Sequence, residues 1–351
     1  MLELWSSERA FERIEEYLRE RGFFAPGGEV LEAMLYLGHG LSDRLRRASS
    51  PPPPEPCRLP LGAVVVRDAS QGQSLVGSEQ AEQVRIGPWA RTWTADEYAA
   101  AVEAVRAAIQ RGDVYQVNLV QHLSAPLLGD PRALVPLLAH FRPLVPLLVG
   151  DGWTIVSASP ELFLRRRGRR VRTMPIKGTR PLGEHVEGEK DEAEHVMIVD
   201  LERNDLSRVC EPGSVRWPQL MVERELAGVT HLVSTVEGML REDVGLAELL
   251  AATFPGGSVT GAPKIAALDE IARLEPVGRG ASMGALGTVR GNGDLELALT
   301  IRTFGVAGGR IHFWVGGGIV WDSDPAAEIE ESWLKARPLL EALRAPLEAQ
   351  V

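Results

Sequence analysis

Strand-like and helix-like segments of this chain follow one another in blocks instead of alternating one for one. Residues 283–290, 295–303 and 311–320 have the apolar pattern of consecutive strands with no helical segment between them. Helical patterns are found in other parts of the chain, at 189–202, 245–253, 263–273 and 325–337. A doubly wound sheet requires regular alternation of strands and helices, so the blocks predict an α+β fold.

The first third of the chain contains a proline run and a helix-start signal. Residues 5–21 carry apolar side chains at helical spacing and predict an amphipathic helix. Pro51–Pro54 predicts a rigid, extended connector. Thr94–Glu97 has the pattern of a capping box, which predicts that a helix begins there. We therefore separate a small N-terminal portion, residues 1–93, from a main body at 94–345.

Three further segments of the main body predict strands. Residues 114–123 alternate apolar side chains with Gln116 and Asn118, which indicates a strand with one polar face. Residues 153–159 predict a second strand, and residues 161–174 a hairpin that turns at a glycine.

Composition excludes several classes of function. The formal charge of −10 argues against nucleic-acid binding, which requires a basic surface. The start of the chain lacks the pattern of a secretory signal, and the most apolar long stretch, 133–150, is too interrupted to span a bilayer. The 2 cysteines form neither a disulfide framework nor a metal-ligand pattern. A cytoplasmic location without membrane contact is expected.

Lysine is rare here, since 38 basic residues include only Lys177, Lys190, Lys264 and Lys335. Lys177 follows the predicted hairpin in a predicted turn, beside Gly178, whose missing side chain permits close approach of another molecule. Unlike arginine, lysine can lose its proton and act as a nucleophile, if desolvation lowers its pKa. A surface lysine in a turn is the alternative. Glu161 lies among apolar neighbours at a strand entrance, where burial would raise its pKa and suit it to general-acid work; an exposed glutamate is the alternative.

Two pairs of acidic residues have the i, i+3 spacing that places both side chains on one helix face. The first pair is Asp191 and Glu194, and the second is Glu328 and Glu331, with Lys335 one turn later. Carboxylates on two facing helices can hold Mg²⁺, which takes one or two carboxylates and leaves other positions to water and substrate. Ordinary solvated helix faces would produce the same spacing.

Two glycine-rich segments resemble anion sites. Residues 255–264 lead into a predicted helix whose free N–H groups would favour a carboxylate or phosphate, although the segment is not a Walker A motif. The run Gly316, Gly317 and Gly318 closes a predicted strand and could present backbone N–H groups to a ligand. Tight structural turns explain either segment equally well.

In this order, these segments resemble the chorismate-utilising enzymes, from about Asp96 to Leu340. The motifs that carry the resemblance are DVYQVN at 113–118, PIKGT at 175–179, MIVDLERND at 197–205 and THLVST at 230–235. Members that use water typically have a lysine base at the position of Gln116, and anthranilate-forming members typically have alanine at that of Lys177. The pair Lys177 and Gln116 is that of the members that form aminodeoxychorismate.

The resemblance implies a fold of large antiparallel sheets packed as a sandwich with helices outside, and a set of roles. Mg²⁺ is implied to be held directly by Glu194 and Glu331, with Asp191 and Glu328 close by. Lys177 is implied to attack ring carbon C2 of chorismate while Glu161 protonates the departing C4 hydroxyl, with His231 beside the ring. The substrate-binding residues implied are Gln116, Gly178, Thr179, Arg302, Gly316, Gly317, Gly318 and Lys335.

The chain also departs from the family pattern. The N-terminal portion is short and lacks a recognisable tryptophan-binding motif, and Ser282 and Thr288 stand where aromatic residues are usual. No glutaminase segment is found, so ammonia is expected from a separate glutamine amidotransferase subunit. Two rival functions remain open: an anthranilate-forming enzyme that carries a lysine at 177, and a non-catalytic chorismate-binding subunit.

Overall fold

The computed structural model describes residues 1–25, 31–68, 84–181, 189–226 and 229–344. Most of the strands in these ranges form one antiparallel sheet of ten, and its central order is β1-β3-β2-β15-β16-β9-β10-β13-β11, with β12 also paired to β13. Its strands are β1 (Leu2–Leu4), β2 (Leu31–Leu37), β3 (Gly62–Asp68), β9 (Leu162–Arg167), β10 (Arg170–Met174), β11 (Ile176–Pro181), β12 (Arg216–Leu226), β13 (Val229–Met239), β15 (Ala285–Arg290) and β16 (Leu295–Leu299).

The other strands of the described ranges form an antiparallel sheet of eight, in the order β14-β6-β18-β17-β8-β7, with β4 and β5 on the far part of β6. Its strands are β4 (Arg85–Ile86), β5 (Ala90–Arg91), β6 (Gln116–Leu128), β7 (Leu147–Val149), β8 (Trp153–Ser157), β14 (Gly261–Ala262), β17 (Thr303–Ala307) and β18 (Arg310–Ile319). The long pair β6 and β18 carries Gln116 and the glycine run into the same end of this sheet.

The two sheets pack face to face. Strand β2 shows why, because its side chains are buried on both faces: Ala33 and Leu35 enter one apolar cluster, while Met34 and Tyr36 enter another. The second cluster also contains Trp153 of the eight-stranded sheet and is therefore the interior of a sandwich.

Helices cover the outer faces of both sheets. They are α1 (Ala10–Arg19), α2 (Ala95–Gln110), α3 (Leu134–Leu138), α4 (Glu189–Ser207), α5 (Leu246–Thr253), α6 (Lys264–Leu274) and α7 (Pro325–Ala342). The first, fourth and fifth of these pack in the cluster on the ten-stranded sheet, and the second, sixth and seventh pack on the eight-stranded sheet. No helix in the described ranges is long and apolar enough to cross a membrane. The predicted α+β sandwich with helices outside is confirmed.

Local signals explain the element boundaries. Thr94 and Glu97 form the predicted capping box, in which Thr94 Oγ1 accepts from the Glu97 backbone N–H at 3.2 Å and Glu97 Oε2 accepts from the Thr94 N–H at 2.8 Å. These bonds satisfy N–H groups that lack partners within the helix, so α2 begins where the sequence indicates. The first helix is shorter than predicted, since Arg9 has a left-handed backbone and α1 starts at Ala10.

Two predictions about strands require correction, and one pair of strands was not predicted. The single strand predicted at 295–303 is two strands in different sheets, β16 and β17, because the chain turns at Arg302, whose φ is +50°. Lys177 lies within β11 and not in a turn. The long hairpin of β12 and β13 was not predicted, because its polar residues interrupt the alternation of apolar residues.

The N-terminal portion and the main body share one sheet and one core. Strand β2 pairs with β15 from Leu37 opposite Ala285 to Glu32 opposite Arg290. The proline run packs against the main body, where the Gly278 N–H donates to Pro54 O at 2.9 Å and the Gly280 N–H donates to Glu55 Oε2 at 2.9 Å.

Candidate active site

Lys177 projects from β11 into the space between β11 and α4. The strand shifts register against β13 between Lys177 and Thr179, at Gly178, whose φ is +61°. Lys177 Nζ lies 2.5 Å from Glu194 Oε1, and the two side chains are only 13% and 14% exposed. Burial alone would lower the pKa of Lys177, but the charge of Glu194 and its hydrogen bond outweigh burial and raise this pKa. The condition for nucleophilic use, a pKa lowered by desolvation, is therefore not met in this structure.

Glu161 is the buried acid of the site. It follows β8, is 4% exposed, and accepts a hydrogen bond at Oε1 from Ser258 Oγ at 3.0 Å. Burial raises its pKa to about 7, although Ser258 and the charges of Lys177 and Arg302 oppose the rise. The expected direction of the pKa shift is confirmed, and near pH 7 this carboxyl is both able to hold a proton and able to release it.

Arg302 and His231 complete this side of the site. Arg302 is held at the chain reversal between the two sheets, where its carbonyl accepts from the Ala158 N–H at 2.9 Å. Burial lowers the pKa of Arg302, while the charge of Glu161 raises it. His231 Nδ1 lies 3.0 Å from the carbonyl oxygen of Gly178, and burial lowers its pKa. The positive charge of Arg302 lowers the pKa of Glu161 and that of His231.

The glycine run lies in β18, beyond the residues that pair with β17. Gly318 is opposite Asn118 of β6, and a Cβ at Gly318 would lie 1.8 Å from Gln116 Nε2 and 2.6 Å from Glu194 Oε1. Any side chain there would displace the Gln116–Glu194 hydrogen bond, which is 2.5 Å long. Gly318 is thus required by close packing inside the site.

Gly317 borders the second acidic pair. A Cβ at Gly317 would lie 3.4 Å from Lys335 Nζ, 3.5 Å from Glu328 Oε2 and 3.6 Å from Glu331 Oε1. Lys335 forms an ion pair with Glu331 at 2.7 Å and donates to the Gly316 carbonyl at 3.1 Å. The run therefore borders Glu194 of the first predicted acidic pair and both members of the second.

Comparison with known proteins identifies the family. Residues 63–341 match the family of chorismate binding enzymes. The chain belongs to this family. It is 45% identical over 258 residues to an anthranilate synthase component 1 of Thermus thermophilus, covering 69% of this chain and 56% of that protein. It is 40% identical over 268 residues to an aminodeoxychorismate synthase component 1 of Klebsiella aerogenes, covering 73% of this chain and 59% of that protein.

A solved structure agrees with this family. Anthranilate synthase component I from Streptococcus pneumoniae superposes with a TM-score of 0.73 at 26% identity, over 88% of this chain and 80% of that one. The chain spans less than three fifths of the length of the curated relatives named above, at 56% and 59%. Their names are divided between anthranilate synthase and aminodeoxychorismate synthase.

A chorismate binding enzyme with this site has the donor chemistry for Mg²⁺ but does not assemble a cage for it. Among the residues whose side chains are described, no three of His, Cys, Asp and Glu come together as metal ligands. Glu194, Glu328 and Glu331 nevertheless have carboxylate oxygens beside the glycine run, within 2.6–3.6 Å of where a Cβ at Gly317 or Gly318 would lie. A small number of carboxylate oxygens fits Mg²⁺, because this ion usually binds one or two protein carboxylates and fills its other positions with water and substrate oxygens. The side chains of Asp191 and Thr179 lie outside the described residues.

The other glycine-rich segment is a packed support, not an open anion site. A Cβ at Gly257 would lie 2.9 Å from a Leu201 methyl group, and one at Gly261 would lie 2.2 Å from the Gln116 carbonyl oxygen. Lys264, at the start of α6, is paired with Asp205 at 2.5 Å. The segment instead places Ser258 against Glu161, a contact that the sequence analysis missed because it depends on how the segment folds back.

Proposed function

We propose that this chain is the chorismate-converting component of an aminodeoxychorismate synthase, which replaces the C4 hydroxyl of chorismate with an amino group. The observation that carries the proposal is the position of Lys177, whose largely buried side chain pairs with Glu194 at 2.5 Å and also feels the charge of Glu161. An arginine would satisfy a purely electrostatic need there, and this chain otherwise prefers arginine. A lysine retained at this point supports a covalent role.

The chemistry proceeds in two displacements. Lys177 Nζ, once deprotonated, attacks C2 of the ring, the double bonds shift, and the C4 hydroxyl leaves as water with a proton from Glu161. Ammonia then adds at C4, the double bonds shift back, and the bond from C2 to Lys177 breaks. The net change is chorismate plus ammonia to 4-amino-4-deoxychorismate plus water. A carboxyl with a pKa of about 7 is suited to release a proton and regain it in each cycle.

Other residues of the site bind and orient the substrate. Arg302 and Lys335 are the cations available for its carboxylates, together with backbone groups of the glycine run. Gln116 donates to Glu194 and cannot act as a base toward water, because an amide does not accept a proton near neutral pH. Glu194 and Glu331 would hold Mg²⁺, with Glu328 close by, and the ion would supply positive charge for the substrate carboxylates.

A partner is part of the proposal. The relatives are named as component 1 of their enzymes, which implies at least one more component. We propose that a glutamine amidotransferase subunit supplies ammonia to this chain, for the synthesis of para-aminobenzoate and folate.

The second candidate is an anthranilate synthase component, favoured by the Thermus thermophilus and Streptococcus pneumoniae relatives. One experiment separates the two. The purified chain is incubated with chorismate, Mg²⁺ and ammonium at alkaline pH, and the product is identified by mass spectrometry and fluorescence. Aminodeoxychorismate retains the enolpyruvyl group, whereas anthranilate has lost it and fluoresces. Anthranilate as the main product would overturn the proposed function, and a Lys177→Met protein is the control for contaminating enzymes.

A further inference from the structure

Glu202 is a second buried carboxyl whose pKa is affected by the charge of Glu161, and the proposed reaction does not use it. Glu202 of α4 is 6% exposed, and its Oε2 accepts a hydrogen bond from Thr173 Oγ1 at 2.9 Å. Farther along, Asp205 is paired with Lys264 at 2.5 Å. A buried carboxylate without a cationic partner is costly, and Lys264 is already engaged by Asp205.

Packing connects Glu202 to the catalytic acid. A Cβ at Gly257 would lie 3.5 Å from Glu202 Cγ, and the next residue, Ser258, donates to Glu161 Oε1 at 3.0 Å. The cavity beside Glu202, lined by Thr173, Asp205 and Gly257 among others, has a volume of only about 10 Å³. It holds one water molecule at most, so little solvent reaches the Glu202 carboxyl from this side.

We propose that Glu202 is a positioning residue that shares a proton with Glu161, so that the catalytic acid stays protonated to higher pH than it would alone. The inference rests on the role of general acid proposed for Glu161. Two carboxyls in one poorly solvated region do not ionise together, and the proton that remains is distributed between them.

The surrounding charges support a single shared negative charge. Lys177 and Arg302 face Glu161, and they favour its ionised form. Asp205 and Lys264 face Glu202 with opposite effects, and the charge of Glu161 raises the pKa of Glu202 further. Burial is the largest cause for both groups and brings the pKa of Glu161 to about 7 and that of Glu202 to about 8.

The test measures the ionisation of Glu161 directly. Carbon-13 NMR of glutamate-labelled protein, without substrate, follows each carboxyl as a function of pH, and Glu161→Gln assigns the Glu161 signal. The starting protein carries Glu55→Gln, because Glu55 is a third buried carboxyl with a pKa of about 7 and would overlap. In this protein, Glu161 is expected to titrate in two steps together with Glu202.

Adding Glu202→Gln keeps the acceptor for Thr173 and removes the second proton site. Glu161 is then expected to titrate in one step, and its ionisation should be complete about one pH unit lower than in the protein that retains Glu202. The alkaline limb of kcat/KM should move down by a similar amount at a fixed concentration of free ammonia, while Glu55→Gln alone leaves the limb in place. A merely structural role would change stability or kcat without moving the Glu161 titration.

An unchanged Glu161 titration after Glu202→Gln overturns the inference. If that variant does not fold, Thr173→Val provides the second test, because loss of the hydroxyl donor makes Glu202 hold its proton more tightly. Glu161 must then lose its proton at lower pH, and an unchanged titration again overturns the inference. Because the NMR titration needs neither substrate nor product, its outcome is independent of whether the enzyme makes aminodeoxychorismate or anthranilate.

Discussion

Replacement of Lys177 by arginine separates a covalent role from an electrostatic one. In the native protein, Lys177 Nζ lies 2.5 Å from Glu194 Oε1. Arginine at this position keeps a positive charge that can pair with Glu194. The guanidinium is larger, and crowding in a site where Lys177 is 13% exposed costs about 1–3 kcal/mol of unfolding free energy. Unlike the ammonium, it does not lose its proton near neutral pH.

Lys177→Met provides the comparison, because it has a similar length and no charge. It leaves Glu194 in a poorly solvated position, 14% exposed, with Gln116 as hydrogen-bond donor. Removing one partner of a buried pair costs about 3–5 kcal/mol, and the nearby charge of Lys335 reduces this loss. We therefore expect Lys177→Met to be the less stable variant and Lys177→Arg to remain closer to the native protein in urea unfolding.

The two variants should differ in stability but should lose turnover to the same extent. If Lys177 bonds to C2, both variants lose aminodeoxychorismate synthesis by a factor of about 10⁴ or more, because no amine remains to attack. The assay is formation of aminodeoxychorismate from chorismate, Mg²⁺ and ammonium, followed by mass spectrometry. The native chain, given chorismate without ammonia, should also accumulate an adduct on the peptide that contains Lys177. Near-native synthesis by Lys177→Arg would mean that this residue supplies only charge.

Three further predictions concern the metal, the partner and acid stability. Glu194→Gln and Glu331→Gln should each abolish Mg²⁺-dependent turnover. The unfolding free energy of Glu331→Gln should change little, because the Glu331 side chain is 53% exposed. Full EDTA-resistant turnover in either variant would exclude metal binding at that residue. The purified chain should use ammonium at high pH but use glutamine only after the amidotransferase is added, as measured by product formation with each nitrogen donor. Burial lowers the pKa of His122 to about 3 and that of His312 to about 4. Between pH 7.5 and pH 5 these two side chains therefore take up protons only when the protein unfolds. Each should lower the unfolding free energy by about 2 kcal/mol over that interval. This stability is retained above the unfolded-state pKa of 6.5 and is lost as the pH falls toward the pKa values of the folded protein. In urea titrations, a His312→Gln protein should lose about 2 kcal/mol less unfolding free energy than the native chain between pH 7.5 and pH 5.

Local signals in the sequence predicted most of the helices and several strands. The capping box at Thr94, the turn at Gly168 and the pair spacing in α7 each depend on residues close together in the chain, and each is present in the structure. The chain reversal at Arg302 could not be predicted this way. Its left-handed φ of +50° is imposed by the need to leave one sheet and enter the other, which is a property of the whole sandwich.

The sequence indicated several residues that the structure brings together, but not the contacts that they make. Spacing indicated that Glu328 and Glu331 share a face, but nothing local showed that Glu328 is 5% exposed and accepts from Ser323 at 2.6 Å. The glycine run was interpreted as a source of N–H groups, whereas the structure shows in addition that Gly318 makes room for Gln116. Such contacts join strands and helices that are distant in sequence, so composition and periodicity carry no record of them.

Burial disfavours the charged form of both Glu161 and Lys177, but it prevails only at Glu161, and the difference lies in their partners. Glu161 has a hydroxyl and a backbone N–H as neighbours and no cation in direct contact among the described side chains, so burial dominates and its pKa rises to about 7. Lys177 touches Glu194, so attraction to the carboxylate exceeds the effect of burial and keeps the ammonium charged. The proposed acid can therefore hold and release a proton near pH 7, whereas the proposed nucleophile is still charged. Activation of Lys177 requires that its hydrogen bond to Glu194 weaken when substrate is bound, and a comparison of substrate-bound and free protein should show this contact lengthened.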